Sequence, residues 1–411
     1  MIHTSAADPF EDDPLDGVDA PPVPVAPTGP DQTDRVIIAA AEEAGIGCPC
    51  DVLVVDDATG ELTAFALRAL ADHPEATVLS WATSRALAVR LRERFADALA
   101  AGRLQVPAGP SPMPLEAAAT GIEPHLVLMR LPKAVHALED RVRRLAAASQ
   151  GEGRDHLEVI AGGRVKHMTR RQNEVLGEVF GEVRASRGIG KSRALIGSGV
   201  RAGVTMPMPT EGSARISVRG TAHELPLRGN GAVFGAATAD AGSLLLLDAL
   251  DRALGGGELD GVGEPGGSAR AIDLGSGNGL MTAYLAVALP DASVLGTDLD
   301  ADAVASTAST LAAAGLDRAG VEVSWDDAAS LQEDASADLM LLNPPFHDGT
   351  AVDATLVQGL LDAAARVLRP GGQLWFVHNS HLRYRPELGA RFATVEQRAR
   401  DRRFTVLSAV R

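Results

Sequence analysis

The chain has 411 residues, of which 45% are hydrophobic, and its formal net charge at pH 7 is -16. This length predicts two or three domains, each able to form its own core, and no apolar run reaches the roughly 18 to 20 residues that a membrane helix needs. Two cysteines, Cys48 and Cys50, are too few for a four-cysteine zinc site or a disulfide framework. We therefore expect a cytoplasmic protein with no membrane segment, no metal site and two ordinary thiols.

The N-terminal segment, residues 1–34, has a composition unlike the rest of the chain. It contains eight acidic residues, seven prolines and no Lys or Arg. Such a segment buries too little apolar surface to offset the entropy lost on ordering. We predict a disordered acidic tail over residues 1–34.

Residues 35–201 form the first predicted unit. Strand-like runs at 51–56, 77–81 and 125–130 alternate with helical stretches, and the last of them leads into the turn Leu131-Pro132-Lys133. Strands that alternate with helices indicate a parallel, doubly wound α/β sheet. We place the hinge to the next unit near residues 196–212.

Residues 202–411 repeat this order in a second predicted unit. Its strand-like runs are 270–274, 293–298, 337–342 and 372–377. The separation between first strand and proline turn is 81 residues from Asp51 to Pro132 and 71 residues from Asp273 to Pro344. The repeat indicates a tandem duplication of one α/β unit, although parallel α/β units also resemble one another without a common origin.

Charge is distributed unevenly along the chain. Residues 125–201 contain fifteen Lys or Arg and eight acids, for a net charge of +7, and residues 376–411 carry +5. Residues 202–375 carry -15. Because a local cluster is enough to make a phosphate-binding surface, the two basic regions are candidate RNA contacts. Solvated helix faces are the alternative.

A glycine-rich loop follows the first strand of the second unit. Gly275, Gly277 and Gly279 come directly after Asp273, and such glycines let a ligand approach the main chain closely. Asp298, at the end of the next predicted strand, can accept hydrogen bonds from ribose hydroxyls. The third glycine comes one residue too early for the dinucleotide pattern G-x-G-x-x-G. An NAD site and a glycine turn without a ligand remain alternatives.

The loop and Asp298 together resemble the first motif and the acidic loop of class I S-adenosylmethionine-dependent methyltransferases, which have a Rossmann-like fold. The resemblance implies S-adenosylmethionine as cofactor, with S-adenosylhomocysteine as product. The expected cofactor-binding residues are Asp273, Gly275, Gly277, Gly279, Asp298 and Asp327. Asp327 is expected beside the adenine, with a plain surface acid as the alternative. The first unit has Asp57-Ala58-Thr59-Gly60 instead of the glycines, and Trp81 near the position of the acid. The resemblance therefore implies a degenerate first copy and an active second copy.

The motif Asn343-Pro344-Pro345-Phe346-His347 follows an apolar strand at the sheet edge where α/β proteins bind ligands. The Asn343 side-chain oxygen and the Pro344 carbonyl can hold both hydrogens of an exocyclic amine and turn its lone pair toward the methyl group. The prolines stiffen the turn, and Phe346 offers a face on which a base can stack. Adenine N6, glutamine N5 and guanine N2 are all compatible with this motif.

The residues around this motif narrow the choice of acceptor. Together with 368–372 and 377–384, the motif resembles the ribosomal RNA guanine-N2 methyltransferases, which are tandem duplications with an inactive first domain and an active second one. The large-subunit enzymes are the more similar subfamily, through 131–133, 162–167 and 191–194. The resemblance implies methylation of a guanine in ribosomal RNA, 23S rather than 16S, with no obligate protein partner.

Two other functions remain open at this point: an adenine-N6 or protein-glutamine methyltransferase, and a non-catalytic RNA-binding or ribosome-assembly protein. The expected catalytic residues are Asn343, Pro344, Pro345 and Phe346. The expected RNA contacts near the target base are His347, His381 and Tyr384, although His381 could instead make a local structural hydrogen bond. On the first unit, the expected RNA contacts are the basic residues Lys133, Arg164, Lys166, Arg170, Arg171, Lys191 and Arg193.

Overall fold

The computed structural model describes residues 29–45, 50–150, 156–233, 235–259, 269–345 and 351–411, with the backbone alone for residues 351–354. Most of the predicted tail, residues 1–28, lies outside the described residues. Its last residues are part of the first unit, because helix α1 (Gln32–Ala44) begins before residue 35. Asp31 caps this helix by accepting hydrogen bonds from the backbone N–H groups of Thr33 and Asp34. The predicted tail is therefore too long by these residues.

The first unit is built around a seven-stranded sheet. Its strands are β1 (Val52–Val55), β2 (Val78–Trp81), β3 (Leu104–Gln105), β4 (Leu126–Arg130), β5 (Glu158–Arg164), β6 (Phe180–Ala185) and β7 (Ser192–Val200). Their spatial order is β3-β2-β1-β4-β5-β7-β6. Strands β1 to β5 are parallel, and β7 is antiparallel to both β5 and β6.

Helices cover this sheet on both faces, which is why its central strands are apolar throughout; all four residues of β1 are buried. After α1 the helices are α2 (Glu61–Ala69), α3 (Arg85–Arg94), α4 (Ala96–Ala100), α5 (Leu115–Ile122), α6 (Val135–Ala148) and α7 (Arg170–Val179). A 3-10 turn, Val165–His167, precedes α7.

A hairpin of β8 (Thr210–Val218) and β9 (Thr221–Gly229) opens the second unit. Its apolar face, which includes Ile216 and Leu227, packs into the core of the second unit. Strand β7 continues to Val200, so the linker between the units is residues 201–209. The first residues of the predicted hinge, 196–200, are strand instead.

The second sheet repeats the first. Its strands are β10 (Arg270–Leu274), β11 (Ser293–Asp298), β12 (Val321–Trp325), β13 (Ala337–Leu342), β14 (Leu368–Asn379), β15 (Thr394–Arg400) and β16 (Phe404–Val410). Their spatial order, β12-β11-β10-β13-β14-β16-β15, matches the first sheet strand for strand. The predicted pair of doubly wound α/β units is confirmed. The antiparallel strands that end each sheet were not predicted.

The helices of the second unit are α8 (Ala241–Gly255), α9 (Leu280–Ala288), α10 (Ala301–Ala313), α11 (Ala351–Val367) and α12 (Arg385–Gly389). The core lies on both faces of the sheet, because alternate residues of β13 enter different clusters: Leu339 and Leu341 on one face, Met340 and Leu342 on the other. Within the described ranges, no helix is long and apolar enough to cross a membrane. Cys50 is disulfide-bonded, so the expectation of two ordinary thiols is wrong for this residue.

Candidate functional site

A cavity of about 410 Å³ lies at the carboxyl edge of the second sheet. Gly275 and Gly277 line it from the loop after β10, Asp298 from the end of β11 and Asp327 from the segment after β12. Asn343 lines it from the turn after β13, together with the two prolines that follow. The carboxyl ends of parallel strands meet at one sheet edge, and this topology brings the glycine loop, the acids and the proline turn together.

The glycine loop requires glycine at three positions, for two different reasons. Gly275 (φ 88°) and Gly277 (φ 55°) have left-handed backbones, and a Cβ on either would meet no atom within 4 Å. The space in front of these two residues is therefore open to a ligand. Gly279 (φ 84°) instead begins α9, and a Cβ there would lie 2.8 Å from Thr307 Cα. Gly279 thus permits close packing and does not line the cavity.

Asp273 lies beneath this loop and not on the cavity wall. Its side chain is fully buried, and Thr282 Oγ1 donates a hydrogen bond to its Oδ2 over 2.6 Å. Its other oxygen, Oδ1, is buried without a partner among the described residues. Burial, with a contribution from the nearby Asp298, raises the pKa of Asp273 to about 7. An unpartnered carboxylate oxygen under the loop fits a ligand that brings positive charge or a hydrogen-bond donor.

The acidic loop after β11 adds two carboxylates. Asp298 Oδ2 accepts from Gly277 N over 2.9 Å, and Oδ1 accepts from Asp300 N over 2.9 Å. Each oxygen keeps one further acceptor position for a ligand hydroxyl. Burial raises the pKa of Asp298, and burial with repulsion from Asp302 and Asp298 raises that of Asp300 to about 7.

The first unit holds this acidic loop in place. Arg85 N donates to Leu299 O over 3.0 Å, Ala301 N donates to Thr83 O over 2.8 Å, and Ser84 pairs with Asp300 as an antiparallel bridge. Ser84 and Asp300 each cap the helix that follows the second strand of their own sheet. The two copies therefore contact each other through equivalent residues, as in a two-fold symmetric dimer.

A buried ion pair reinforces this contact. The Arg141 guanidinium donates to both carboxylate oxygens of Asp302, at 2.7 and 3.1 Å, and lies 5.0 Å from the centre of the Trp81 ring. Trp325 Nε1 donates to the carbonyl oxygens of Leu299 and Thr83. No local sequence pattern could have indicated the Arg141–Asp302 and Trp325–Thr83 contacts, because both join residues from different units.

The side chain of Asn343 is oriented by two neighbours at the start of α8, the N-cap Asp240 and Ser243. Its Nδ2 donates to Ser243 Oγ over 2.8 Å and lies 3.5 Å from Asp240 Oδ1. A carboxylate can only accept, so the amide nitrogen must face Asp240 and Oδ1 points away from it. Pro344 is buried and Pro345 is exposed. Phe346 and His347 lie outside the described residues, so their predicted roles stay predictions.

The seven bases predicted on the first unit lie along one edge of its sheet. They follow the end of β4 (Lys133), the end of β5 (Arg164, Lys166), the start of α7 (Arg170, Arg171) and the start of β7 (Lys191, Arg193). All seven are exposed. In the described part of the chain only Arg171 makes an ion pair, with Glu174 at 3.2 Å and Glu178 at 3.5 Å. We call these seven residues the basic edge.

His381 and Tyr384 do not line the cavity that contains Asn343. They line a second, more open cavity at the end of β14. Across the described ranges, no group of three or more His, Cys, Asp or Glu side chains is arranged to hold a metal ion.

Comparisons with known proteins cover both units. Residues 30–201 match the family model described as RLMG N-terminal domain, and residues 224–408 match the Methyltransferase small domain. The chain is 32% identical over 381 residues to ribosomal RNA large subunit methyltransferase G of Pseudomonas aeruginosa, covering 92% of each chain. It is 33% identical to the protein of that name from Streptomyces coelicolor, over 70% of this chain and 72% of the relative.

Among solved structures, the chain is similar to a T. thermophilus 16S rRNA N2 G1207 methyltransferase in complex with AdoMet and guanosine. The TM-score is 0.65, with 24% sequence identity, over 93% of this chain and 92% of the other. This likeness extends across both units and concerns their fold.

Proposed function

Because the chain belongs to the ribosomal RNA large subunit methyltransferase G family, we propose that it transfers a methyl group from S-adenosylmethionine to the exocyclic N2 amine of a guanine in 23S ribosomal RNA. The relatives are named as large-subunit ribosomal RNA methyltransferases, and the protein in the similar solved structure is named as an N2 methyltransferase. Ribosomal RNA as substrate implies that the protein works in the cytoplasm.

The fixed amide of Asn343 is the observation that carries this proposal. Ser243 and Asp240 hold its Nδ2, so Oδ1 is available to accept one hydrogen of the guanine amine. The Pro344 carbonyl accepts the other hydrogen. The amine lone pair, which is delocalised in the free base, is then directed at the methyl group and the positive charge that develops on nitrogen is dispersed.

Bond changes in this step balance without a strong base. When bound, S-adenosylmethionine supplies an electrophilic methyl group on a sulfonium sulfur. The N2 lone pair would form the new carbon–nitrogen bond as the carbon–sulfur bond breaks, and the bonding electrons would stay on sulfur, so that S-adenosylhomocysteine leaves as a neutral thioether. The methylated amine is acidic and loses its proton to water, while Asn343 Oδ1 stabilises the charge until then.

The residues around the cavity fit the cofactor. Gly275 and Gly277 leave open space against the main chain, Asp298 can accept from the ribose hydroxyls, and Asp327 is beside the same cavity. The unpartnered Asp273 Oδ1 beneath the loop fits the positive charge of the methionine moiety.

The basic edge of the first unit supplies the RNA-binding surface. Six of its seven side chains are exposed cations without an ion pair among the described residues, so they are free to meet phosphates. The catalytic unit needs this help, because residues 202–375 carry -15 and would repel RNA.

Methyl incorporation distinguishes this function from its rivals. The full chain is incubated with labelled S-adenosylmethionine and, separately, protein-free 23S rRNA, 16S rRNA, DNA and a release-factor protein. We expect label in 23S rRNA, and mass spectrometry should identify the labelled product as N2-methylguanine. The same position should lack this methyl group in rRNA from a strain in which the gene is deleted. Label in DNA or in the release factor would instead support the adenine-N6 or glutamine-N5 reaction. Cofactor binding without label in any acceptor would contradict the proposal.

A further inference from the structure

A second cavity, of about 700 Å³, opens at the end of β14 on the same sheet edge as the reaction site. We call it the β14 pocket, and the residues that line it include His378, His381, Arg383, Tyr384, Arg385 and Arg400. Among the residues that the structure describes, none lines both this pocket and the cofactor cavity. Its volume is in the range that small-molecule and nucleotide sites occupy, roughly 300 to 1,000 Å³.

Positive charge in this pocket is uncompensated. Among the described residues that line it, three are arginines and none is Asp or Glu. Arg383 and Arg400 are exposed and make no ion pair within the described ranges, while Arg385 donates only to the Val395 carbonyl. Guanidinium groups without carboxylate partners are suited to phosphate, which they can bind through two parallel hydrogen bonds.

The rings of His378 and Tyr384 line the pocket, and Phe376 lies behind them in the core. His378 stacks on Phe376 with ring centroids 5.5 Å apart, and Tyr384 meets both rings edge-on, at 5.3 and 5.4 Å. His378 Nδ1 donates to the Asn379 carbonyl over 2.9 Å, which leaves Nε2 as an acceptor. Burial lowers the pKa of His378, so the ring stays neutral and keeps that acceptor at neutral pH. Phosphate donors, a stacking face and one acceptor together match a nucleotide.

The sheet register places this pocket beside the methyl-acceptor turn. In the parallel pair β13–β14, Leu342 lies opposite Phe376. Asn343 and Pro344 continue from Leu342 as Val377 and His378 continue from Phe376. Neighbouring strands are about 4.8 Å apart, so the pocket begins one strand away from the turn that holds the target base.

We propose that the β14 pocket binds a nucleotide adjacent to the target guanine in the same RNA strand, with Arg383 and Arg400 on its phosphate and Tyr384 and His378 on its base. The pocket then selects RNA by the identity of the base next to the target guanine, or by the turning of that base out of the stack. This inference rests on the proposed RNA methyltransferase function. It also explains why residues 376–411 are basic in a unit that is otherwise acidic.

The first test uses the full chain and in vitro transcribed 23S rRNA. The double variant Arg383→Gln/Arg400→Gln is compared with Arg215→Gln/Arg402→Gln, two exposed arginines outside the pocket that make no ion pair in the described part of the chain. We expect the pocket variant to raise KM for rRNA about tenfold and to flatten the salt dependence of binding by about two units. Turnover and cofactor affinity should stay near wild type. Equal effects in the two double variants would overturn the proposal.

The second test locates the bound nucleotide. A short RNA around the methylated guanine is prepared with a single abasic site at each neighbouring position in turn. We expect one abasic position to weaken wild-type binding about tenfold and to have no further effect on Tyr384→Ala or on His378→Ala. If the abasic penalty persists in both variants, the base lies elsewhere and the inference fails. Wild-type methylation of 23S rRNA remains intact in that case, which separates this failure from failure of the proposed function.

Discussion

The loops at the end of the first strand differ between the two copies although the sheets around them match. Gly60 and Gly279 both begin the next helix with a left-handed backbone, so they are equivalent positions. Counting back from them, Asp56 stands where Gly275 does, and Ala58 where Gly277 does. In the first copy the Asp56 carboxylate accepts from Thr83 N and Oγ1, at 2.7 and 2.9 Å. A side chain thus occupies the space that the second copy leaves open.

The acid and the amide are replaced as well. Ala82 of the first copy, two residues before the capping Ser84, corresponds to Asp298. In the sheet registers Val55 lies opposite Met129, and Leu274 opposite Leu342, so Arg130 corresponds to Asn343. Arg130 is engaged in ion pairs with Asp31 and Asp34. In the first copy, therefore, an alanine replaces Asp298, and an arginine that is engaged in internal ion pairs replaces Asn343.

The difference shows how two copies of a duplicated unit can take different roles, with a ligand cavity in one copy and a basic surface on the other. The sheet edge that lost its ligand space carries the basic edge, whereas the edge that kept it lies in an acidic unit. The copies remain joined through Ser84 and Asp300, next to the cofactor cavity. This division is tested directly by variants in which a residue of the second copy is replaced by its counterpart in the first copy or by a neutral residue.

Asn343→Ala should have the largest effect. Its oxygen acts mainly as charge develops, so turnover should fall by about 100- to 1,000-fold while cofactor affinity stays within about twofold. Ser243→Ala, which leaves Asp240 to hold the amide, should lower turnover less. Steady-state kinetics and calorimetry measure the two quantities. Parallel losses of turnover and affinity in Asn343→Ala would mean that the turn itself has collapsed.

Asp298→Ala gives the second copy the residue of the first. Two ribose hydroxyls lose their acceptor, so cofactor affinity should fall by about 1 to 3 kcal/mol, or about 5- to 150-fold. Asp317→Ala removes an exposed carboxylate beyond α10 and serves as the matched control. Unchanged calorimetric affinity in Asp298→Ala would remove Asp298 from the cofactor site.

Neutralising the basic edge should separate RNA binding from cofactor binding. Replacing Lys166, Arg170, Lys191 and Arg193 with Gln should weaken 23S rRNA binding by about tenfold or more and flatten the salt slope by about one unit per lost contact. Cofactor affinity should not change. A variant of Arg68 and Arg215, exposed away from this edge, is the control. If melting temperature falls but RNA affinity and salt slope do not, the edge is structural.

A pH dependence of cofactor binding should be the smallest effect. Burial raises the pKa of Asp298, and burial with repulsion from Asp302 and Asp298 raises the pKa of Asp300 to about 7. Ligand hydroxyls donate hydrogen bonds to the ionised carboxylates and stabilise them, so the carboxylate pKa values are lower in the bound state. At a pH below the pKa values of the free protein, cofactor binding therefore releases protons. Affinity should be highest above pH 7 and fall a few-fold as pH drops to about 6. Asp300→Asn, which can still cap α10, should flatten this profile; an unchanged slope would exclude Asp300 as its source.

The sequence predicted the fold well, and it predicted that the glycine loop and the Asn343 turn lie at one sheet edge. The boundaries of β10, β11 and β13 agree residue for residue with the expected strands, because buried parallel strands are continuous apolar runs between clear turn signals. Asn343, Gly275 and Gly277 came from short local patterns. The roles of Ser243 and Asp240 did not, since they reach Asn343 over about a hundred residues of chain.

Stoichiometry tests the central claim most directly, because that claim is that one copy binds the cofactor and the other does not. The full chain is titrated with S-adenosylmethionine by calorimetry, alongside Asp298→Ala. We predict one site per chain, whose affinity falls in the variant. Two sites per chain, one of them unaffected by Asp298→Ala, would show that the first copy still binds cofactor and would contradict the account.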